Sequence, residues 1–305
     1  MNDITKDLMK LVTGLNELPK GAYNIREDSK TAARQSSENI EIVGKKDKSG
    51  IDIIVKPNTL SENVYIPALV SCGGIVDVVY NDFYIGENAD VTIIAGCGVN
   101  TGGCEGSEHN GIHRFFLGKN SRVKYIEKHI GVGAGTGKRV IDPVTEVVQE
   151  AGSFMEMDTT QIKGVDSTHR VTKASLRENA KLIIKEKLMT HGQQTAVSEF
   201  ALDMDGEDSS INLISRSVAK DYSKQTFISK ICGNTRCKGH SECDAIIMDH
   251  GVVTAIPEIT ANSLNATLIH EAAIGKIAGD QIVKLMTLGL TEEDAEAKII
   301  DGFLT

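Results

Sequence analysis

The 305-residue sequence contains no tryptophan, and aromatic residues make up only 4% of it. Aliphatic side chains must therefore fill most of the core, and valine, isoleucine and glycine are plentiful. Because β-branched residues favour strands, this composition predicts a mainly β protein and not a helical bundle. With 40% hydrophobic and 25% charged residues, the chain has the composition of a globular domain and not that of a disordered segment.

Long apolar runs are also missing, and the first fifteen residues mix acidic side chains with lysines. Such a beginning is neither a secretory signal nor a membrane anchor, so we expect a cytoplasmic protein without a membrane partner. The net charge of −9 argues against a nucleic-acid partner, whose phosphates attract basic surfaces. In a reducing compartment, the six cysteines are expected to be thiols or metal ligands and not disulfides.

The chain divides into three segments with different sequence patterns. Residues 1–50 open with a short amphipathic helical pattern and continue as a polar, irregular stretch with a hairpin or exposed turn at 44–50. Residues 51–262 are short β-prone runs separated by Gly, Asn and Asp turns. Residues 263–305 are predicted to be helical from about residue 266, with a first helix over 268–277 and a last one capped by residues 291–294.

A turn motif recurs through the central segment. Its second positions are 32, 31, 28 and 29 residues apart, and each is followed by a small residue and then, two places later, by an apolar one. These positions are Asn88, Asn120, Ala151, Asn179 and Asp208. A near-constant period of this size predicts a solenoid, whose coils repeat the same corner. The alternative is a β-sandwich, in which turns usually recur at about 8–12 residues.

The glycine-rich run 131–139 superficially suggests a phosphate loop. The pattern fails because Val132 stands where the first glycine belongs and Arg139 stands where the Ser or Thr should follow the lysine. A Pro-containing β-prone run comes next instead of a helix. We therefore expect no nucleotide to bind to this chain.

Two groups of cysteine and histidine residues are candidate metal sites. Cys97, Cys104, His109 and His113 supply two thiols and two imidazoles, although the spacing of the cysteines is wider than zinc sites usually show. A structural or thiol-only role is the alternative for this group. The second group comprises Cys232, Cys237, His240 and Cys243, followed by His250, His270 and Glu271. The period of a strand would send Cys243 and its neighbours to opposite faces, so these residues need not share one site. Simple burial is the alternative for a single strand cysteine.

Roughly the last seventy residues resemble a known family. Residues 239–248, 254–259 and 268–277 are similar to the end of SufB and SufD proteins, the paired scaffold subunits of the Suf iron–sulfur cluster assembly machinery. The resemblance implies a right-handed parallel β-helix between a short N-terminal helix and a C-terminal helical tail. It also implies that Cys243, His270 and Glu271 match the cysteine and the additional cluster ligands of SufB.

The resemblance further implies a non-catalytic scaffold that binds a transient iron–sulfur cluster. In the family the helical tail, here 263–305, docks the ABC-type ATPase SufC, and two scaffold subunits pair through their β-helix ends. This chain is shorter than a typical SufB and resembles a compact single-gene form of the family. The resemblance predicts a homodimer or pairing with a SufB or SufD paralogue. It also predicts that apo-proteins accept the cluster. Two alternatives remain: a β-helix carbohydrate-active enzyme, and a structural zinc-binding solenoid.

Overall fold

The computed structural model describes residues 3–304, apart from the side chain of Lys163. The helices are α1 (Asp3–Thr13), α2 (Gly279–Met286) and α3 (Glu292–Leu304). The strands are β1 (Ala22–Glu27), β2 (Lys30–Gln35), β3 (Ile40–Gly44), β4 (Gly50–Val55), β5 (Leu60–Val70), β6 (Val76–Ile85), β7 (Asp90–Asn100), β8 (Ser107–Leu117), β9 (Arg122–Val132), β10 (Arg139–Ile141), β11 (Val144–Gln149), β12 (Phe154–Lys163), β13 (Ser167–Leu176), β14 (Lys181–Thr190), β15 (Thr195–Met204), β16 (Ser210–Ala219), β17 (Lys224–Gly233), β18 (Lys238–Ile247), β19 (Val252–Ala261) and β20 (Thr267–Gly275).

The strands form a parallel β-solenoid of about eight turns, which confirms the predicted mainly β fold with its repeating coil. Successive coils place one strand in each of two facing sheets. One sheet runs in the order β2-β1-β5-β7-β9-β12-β14-β16-β18-β20, and the other in the order β19-β17-β15-β13-β10-β8-β6-β4-β3, with β11 continuing the β10 position. None of the described helices is long and apolar enough to span a membrane.

The repeated turns are left-handed corners of the coil. In the coil of Ala151 the left-handed residue is Gly152, with φ 72°, one place later than the sequence repeat put it. Asn88, Asn120, Asn179 and Asp208 all adopt left-handed backbone angles, with φ between 56° and 59°. The Asn88 amide donates to Asn58 Oδ1 at 3.2 Å, one coil away. The small residue that follows the left-handed residue is buried in the corner, as at Ala89 and Ala180. Asn and Asp suit these corners because they tolerate the left-handed region better than other residues with a side chain.

Two boundaries differ from the sequence interpretation. The solenoid begins inside the segment 1–50, because β1 pairs in parallel with β5. The helix predicted over 268–277 is wrong, because Thr267–Gly275 forms β20 in parallel register with β18. Apolar residues at 268, 272 and 274 fit a helix locally, but the hydrogen-bonding edge of β18 selects an extended chain. The tail therefore starts with a strand, and its helices are α2 and α3.

The glycine run 131–139 is packed against the coil before it. The N–H groups of Gly135 and Gly137 donate to the carbonyls of Thr101 and Gly103 at 3.0 and 3.1 Å. A Cβ atom on Gly135 would lie 2.2 Å from the Gly103 oxygen, so the close approach requires glycine there. These N–H groups are used within the fold, and strand β10 follows the loop instead of a helix.

Replacing Asn120 tests the left-handed corner. We expect Asn120→Ala to lower the free energy of unfolding by about 1–2 kcal/mol, because alanine is disfavoured at this positive φ. Asn120→Gly is the matched control and should cost less, since glycine adopts the same φ without a steric penalty. Urea unfolding followed by circular dichroism measures both; equal losses in the two variants would contradict the assignment.

Candidate functional site

Cys243 lies inside the solenoid near its C-terminal end. Its side chain is only 1% exposed, and it stands between Ser215 on β16 and Ala272 on β20 in the register of the sheet. Burial raises the pKa of the Cys243 thiol to about 12, and the negative charges of Glu186 and Asp244 add to the effect. The resting side chain is therefore a neutral thiol that must lose its proton when it binds a metal.

His270 shares the inward face with Cys243, whereas Glu271 does not. His270 pairs with Ser241, which is fully buried and two residues from Cys243 on β18. The strand spacing of about 4.8 Å and a two-residue rise of about 6.6 Å put the Cα atoms of His270 and Cys243 roughly 8 Å apart. The Nδ1 atom of His270 is buried and has no hydrogen-bond partner within the described part of the chain. Two metal-binding side chains therefore share one interior space.

Glu271 points to the outer surface. Glu271 pairs with Glu242, and Glu242 lies between the inward-facing Ser241 and Cys243 on β18. The side chain of Glu271 is 67% exposed. The predicted trio is thus divided by the sheet: Cys243 and His270 lie within, and Glu271 lies outside. The expected alternation of side chains around Cys243 is confirmed.

A buried polar column leads from the middle of the solenoid towards Cys243. We define it as Glu127, Arg170, Glu186, Ser198 and Ser215, which are all buried. Arg170 donates to Glu127 at 2.6 Å, and its Nε lies 3.8 Å from Glu186. Glu186 accepts hydrogen bonds from Ser198 at 2.6 Å and from Ser215 at 2.7 Å. Because Ser215 stands in register with Cys243, the column ends beside the thiol.

Neighbouring positive charge keeps Glu127 of the column ionised. Burial opposes ionisation of Glu127, but His129 and Arg170 outweigh that effect and hold the pKa of this carboxyl well below its usual range. Removing one partner of such a buried pair typically costs several kcal/mol, while an apolar replacement of the whole group is often neutral. Stability alone therefore does not account for a column of this composition.

The four residues of the other predicted site are separated by the fold. Cys97 is buried beside His129 in the sheet register, whereas Cys104 is exposed in a loop. His109 contacts Asp77 at 3.0 Å, and His113 contacts the Tyr125 hydroxyl at 2.7 Å. Among the described residues, no three of these four have ligand atoms within 4.8 Å of one another. The arrangement gives no support to a joint Cys97–Cys104–His109–His113 metal site.

Comparison with protein families agrees with the resemblance that the end of the sequence showed. A family model described as the SUF system FeS cluster assembly, SufBD core domain, matches residues 80–303. This chain belongs to the SufBD family. The match includes the strands that carry the polar column as well as Cys243, His270 and Glu271, so the geometry described above lies within the family's core domain.

Curated relatives in the SufBD family come from archaea and bacteria. A SufBD family protein of Methanothermobacter thermautotrophicus is 28% identical over 240 residues, which cover 76% of this chain and 56% of the relative. One from Methanocaldococcus jannaschii is 25% identical over 99% of this chain and 98% of its own length. Bacillus subtilis SufB is 31% identical over 32% of this chain and 22% of its own length. The chain thus spans about half the length of the first of these relatives.

Sequence reasoning missed the charged residues of the column in this SufBD family member. Glu186 stands between Ile184 and Leu188, at a position where the period-two pattern of β14 demands an inward side chain. Arg170 likewise alternates with Thr168 and Thr172. A charged residue at an inward position of a regular strand is a signal that was available in the sequence. Which opposite charge it meets depends on the packing of the two sheets, and no local pattern specifies that.

Thiol alkylation tests the burial of Cys243. A pKa of about 12 instead of 9 lowers the thiolate fraction roughly a thousandfold at neutral pH, so iodoacetamide should react far more slowly with Cys243 in the native protein than in urea. The exposed Cys104 serves as the internal control, with a much smaller difference between the two conditions. Mass spectrometry of the cysteine peptides gives both rates. Native labelling of Cys243 at its unfolded rate would contradict the buried placement.

His113 should make the stability of the protein depend on pH. Burial lowers the pKa of His113 to about 4, while an unfolded histidine titrates near 6.5. The unfolded state therefore binds the proton first, and stability should fall as the pH drops from about 7 to 4, by roughly 3 kcal/mol from this residue. Urea unfolding across this range should show a shallower pH slope for His113→Gln than for the wild type. Equal slopes would contradict the prediction.

Proposed function

We propose that this protein is a scaffold on which an iron–sulfur cluster is assembled, with Cys243 and His270 as ligands from each chain. The observation that supports it is the buried, unpartnered Nδ1 of His270 on the same interior face as the Cys243 thiol. The names of the relatives, which describe iron–sulfur cluster assembly proteins, agree with this role. The family description, which names FeS cluster assembly, favours this role over a carbohydrate-active enzyme or a structural zinc-binding solenoid.

The donor atoms suit a cluster that is held and later released. Thiolate sulfur is the usual ligand of iron–sulfur clusters, and imidazole also binds iron. The high pKa of the Cys243 thiol favours its reprotonation when the metal leaves. Glu186 lies one coil before Ser215 and accepts a hydrogen bond from it, so a buried carboxylate stands two coils from the thiol.

Pairing of two copies would complete the ligand set. The solenoid ends at β19 and β20, and each of these strands is paired on one side only among the described strands. Ile256, Ile269 and Ile274 are exposed on them, at 50%, 48% and 39%. Unpaired edges with apolar side chains are the kind of surface that association covers. Two copies, or one copy and a SufB or SufD paralogue, would bring donor residues from both chains to one interface.

The C-terminal helices are the proposed docking element for a SufC-type ABC ATPase. Helix α2 buries none of its residues, and Val283, Met286 and Leu288 at its end are exposed at 60%, 42% and 77%. Helix α3 touches the solenoid at Arg216, whose guanidinium lies 3.5 Å from the Phe303 carbonyl. ATP hydrolysis would take place in the partner, and movement of α2 and α3 would act on the end coils before the cluster passes to an apo-protein.

Anaerobic reconstitution tests the assignment of the ligands. Iron and sulfide should give the visible absorption of a cluster with the wild-type protein, whereas Cys243→Ser should lose most of it because serine replaces the thiolate. We expect His270→Ala to give a less stable cluster that bleaches faster on addition of a chelator.

Cys104→Ser is the matched control, since this cysteine is exposed and lies far along the chain from the last coil. Its spectrum should equal that of the wild type. Loss of the cluster in Cys104→Ser, with retention in Cys243→Ser, would move the site out of the last coil and overturn the proposal.

A further inference from the structure

A second group of metal-binding side chains lies on the outer face of the last coil. His240 and Glu242 are two residues apart on β18, and Glu271 stands opposite Glu242 on β20. One nitrogen from His240 and one carboxylate oxygen from each glutamate all lie within 4.8 Å of one another. The His240 Nε2 atom is 3.6 Å from the Glu271 carboxylate. The sheet separates this group from the inward-facing Cys243.

The His240 ring is oriented as in a metal ligand. Its Nδ1 lies 3.0 Å from Asn212 Oδ1, one coil earlier. Because an amide oxygen only accepts, Nδ1 carries the proton and donates it, which leaves the lone pair of Nε2 directed towards the carboxylates. A hydrogen bond to the second ring nitrogen is the usual means by which a metal-binding histidine is held in place.

The two glutamates of the group stand directly opposite each other on neighbouring strands. Like charges directly opposite each other on neighbouring strands destabilise a sheet. Arg216 on β16 stands beside Asp244 of β18. It therefore lies on the side of β18 opposite to Glu271, which is on β20. A cation held between Glu242 and Glu271 would relieve the repulsion between these two carboxylates.

We propose that His240, Glu242 and Glu271 bind a divalent first-row transition-metal ion on the outer face of the solenoid. One imidazole and two carboxylates, completed by water, suit Fe²⁺, Mn²⁺, Co²⁺ or Zn²⁺ and contain no thiolate. The identification of the natural ion as Fe²⁺ rests on the proposed function, which consumes iron. His270 and Glu271 are adjacent on β20 and face opposite sides, so the outer ion would be held one residue away from the interior donor.

Cobalt binding without sulfide tests the site directly. We would titrate Co²⁺ into the full chain carrying Cys72→Ser and Cys104→Ser, which removes the two exposed thiols. One ion should bind with weak d–d bands and no thiolate charge-transfer band. Replacing His240 by Ala, or Glu242 by Gln, should weaken binding at least roughly tenfold. Fe²⁺ titrated anaerobically should compete for the same site.

The chain contains a matched control pair. His169 and Glu199 lie on the outer face of the other sheet with a similar contact of 3.5 Å but without a third ligand. His169→Ala should therefore leave Co²⁺ affinity unchanged, and thermal unfolding should verify that each variant is folded. Binding that survives His240→Ala and Glu242→Gln, or that falls equally in His169→Ala, would overturn the proposal.

The result of the cobalt-binding test can be distinguished from the result of the cluster-assembly test. Cys243→Ser should retain Co²⁺ binding, because the outer site uses no thiol. His240→Ala should still form a cluster when iron is supplied in excess, because its interior donors are intact. Loss of Co²⁺ binding in Cys243→Ser, or a strong sulfur charge-transfer band, would place the ion inside the solenoid and contradict an outer site.

Discussion

In-register stacking of parallel strands determines where every side chain of this protein lies. Each residue sits above the residue one coil earlier, and a slip by one position would exchange the inner and outer faces. The left-handed corners, with Asn or Asp at most of them, hold the coils in that register. The same alternation places His240, Glu242 and Glu271 on the outer surface. It places Ser241, Cys243 and His270 on the inner face. The division between an interior donor pair and an outer carboxylate pair follows from the register alone.

The interior of the solenoid is unusual because it combines an aliphatic core with a charged column. Glu127, Arg170 and Glu186 are buried and satisfy one another, with serine hydroxyls completing the contacts. Their geometry is tightly coupled, since removal of one charge leaves another without compensation in a medium of low polarity. The column ends at Cys243, next to the open end of the fold. A fully apolar solenoid would have no such polar contacts beside its buried thiol.

Much of the fold could be predicted from the sequence, because the corner motif repeats with a period of about 30 residues and the corner chemistry is local. The strand β20 could not, since its apolar spacing also fits a helix and only pairing with β18 decides between them. The resemblance identified Cys243, His270 and Glu271, but the face that each occupies depends on the register. The pairing of Arg170 with Glu127 and the meeting of His240 with Glu271 join residues from different strands, which no local pattern specifies.

The most direct test of the account is to locate iron in crystals of the anaerobically reconstituted protein by anomalous scattering at the iron edge. The account predicts strong peaks inside the last coil, within bonding distance of Cys243 Sγ and His270 Nδ1. A cluster located at the exposed Cys104 loop, with no iron beside Cys243, would contradict it.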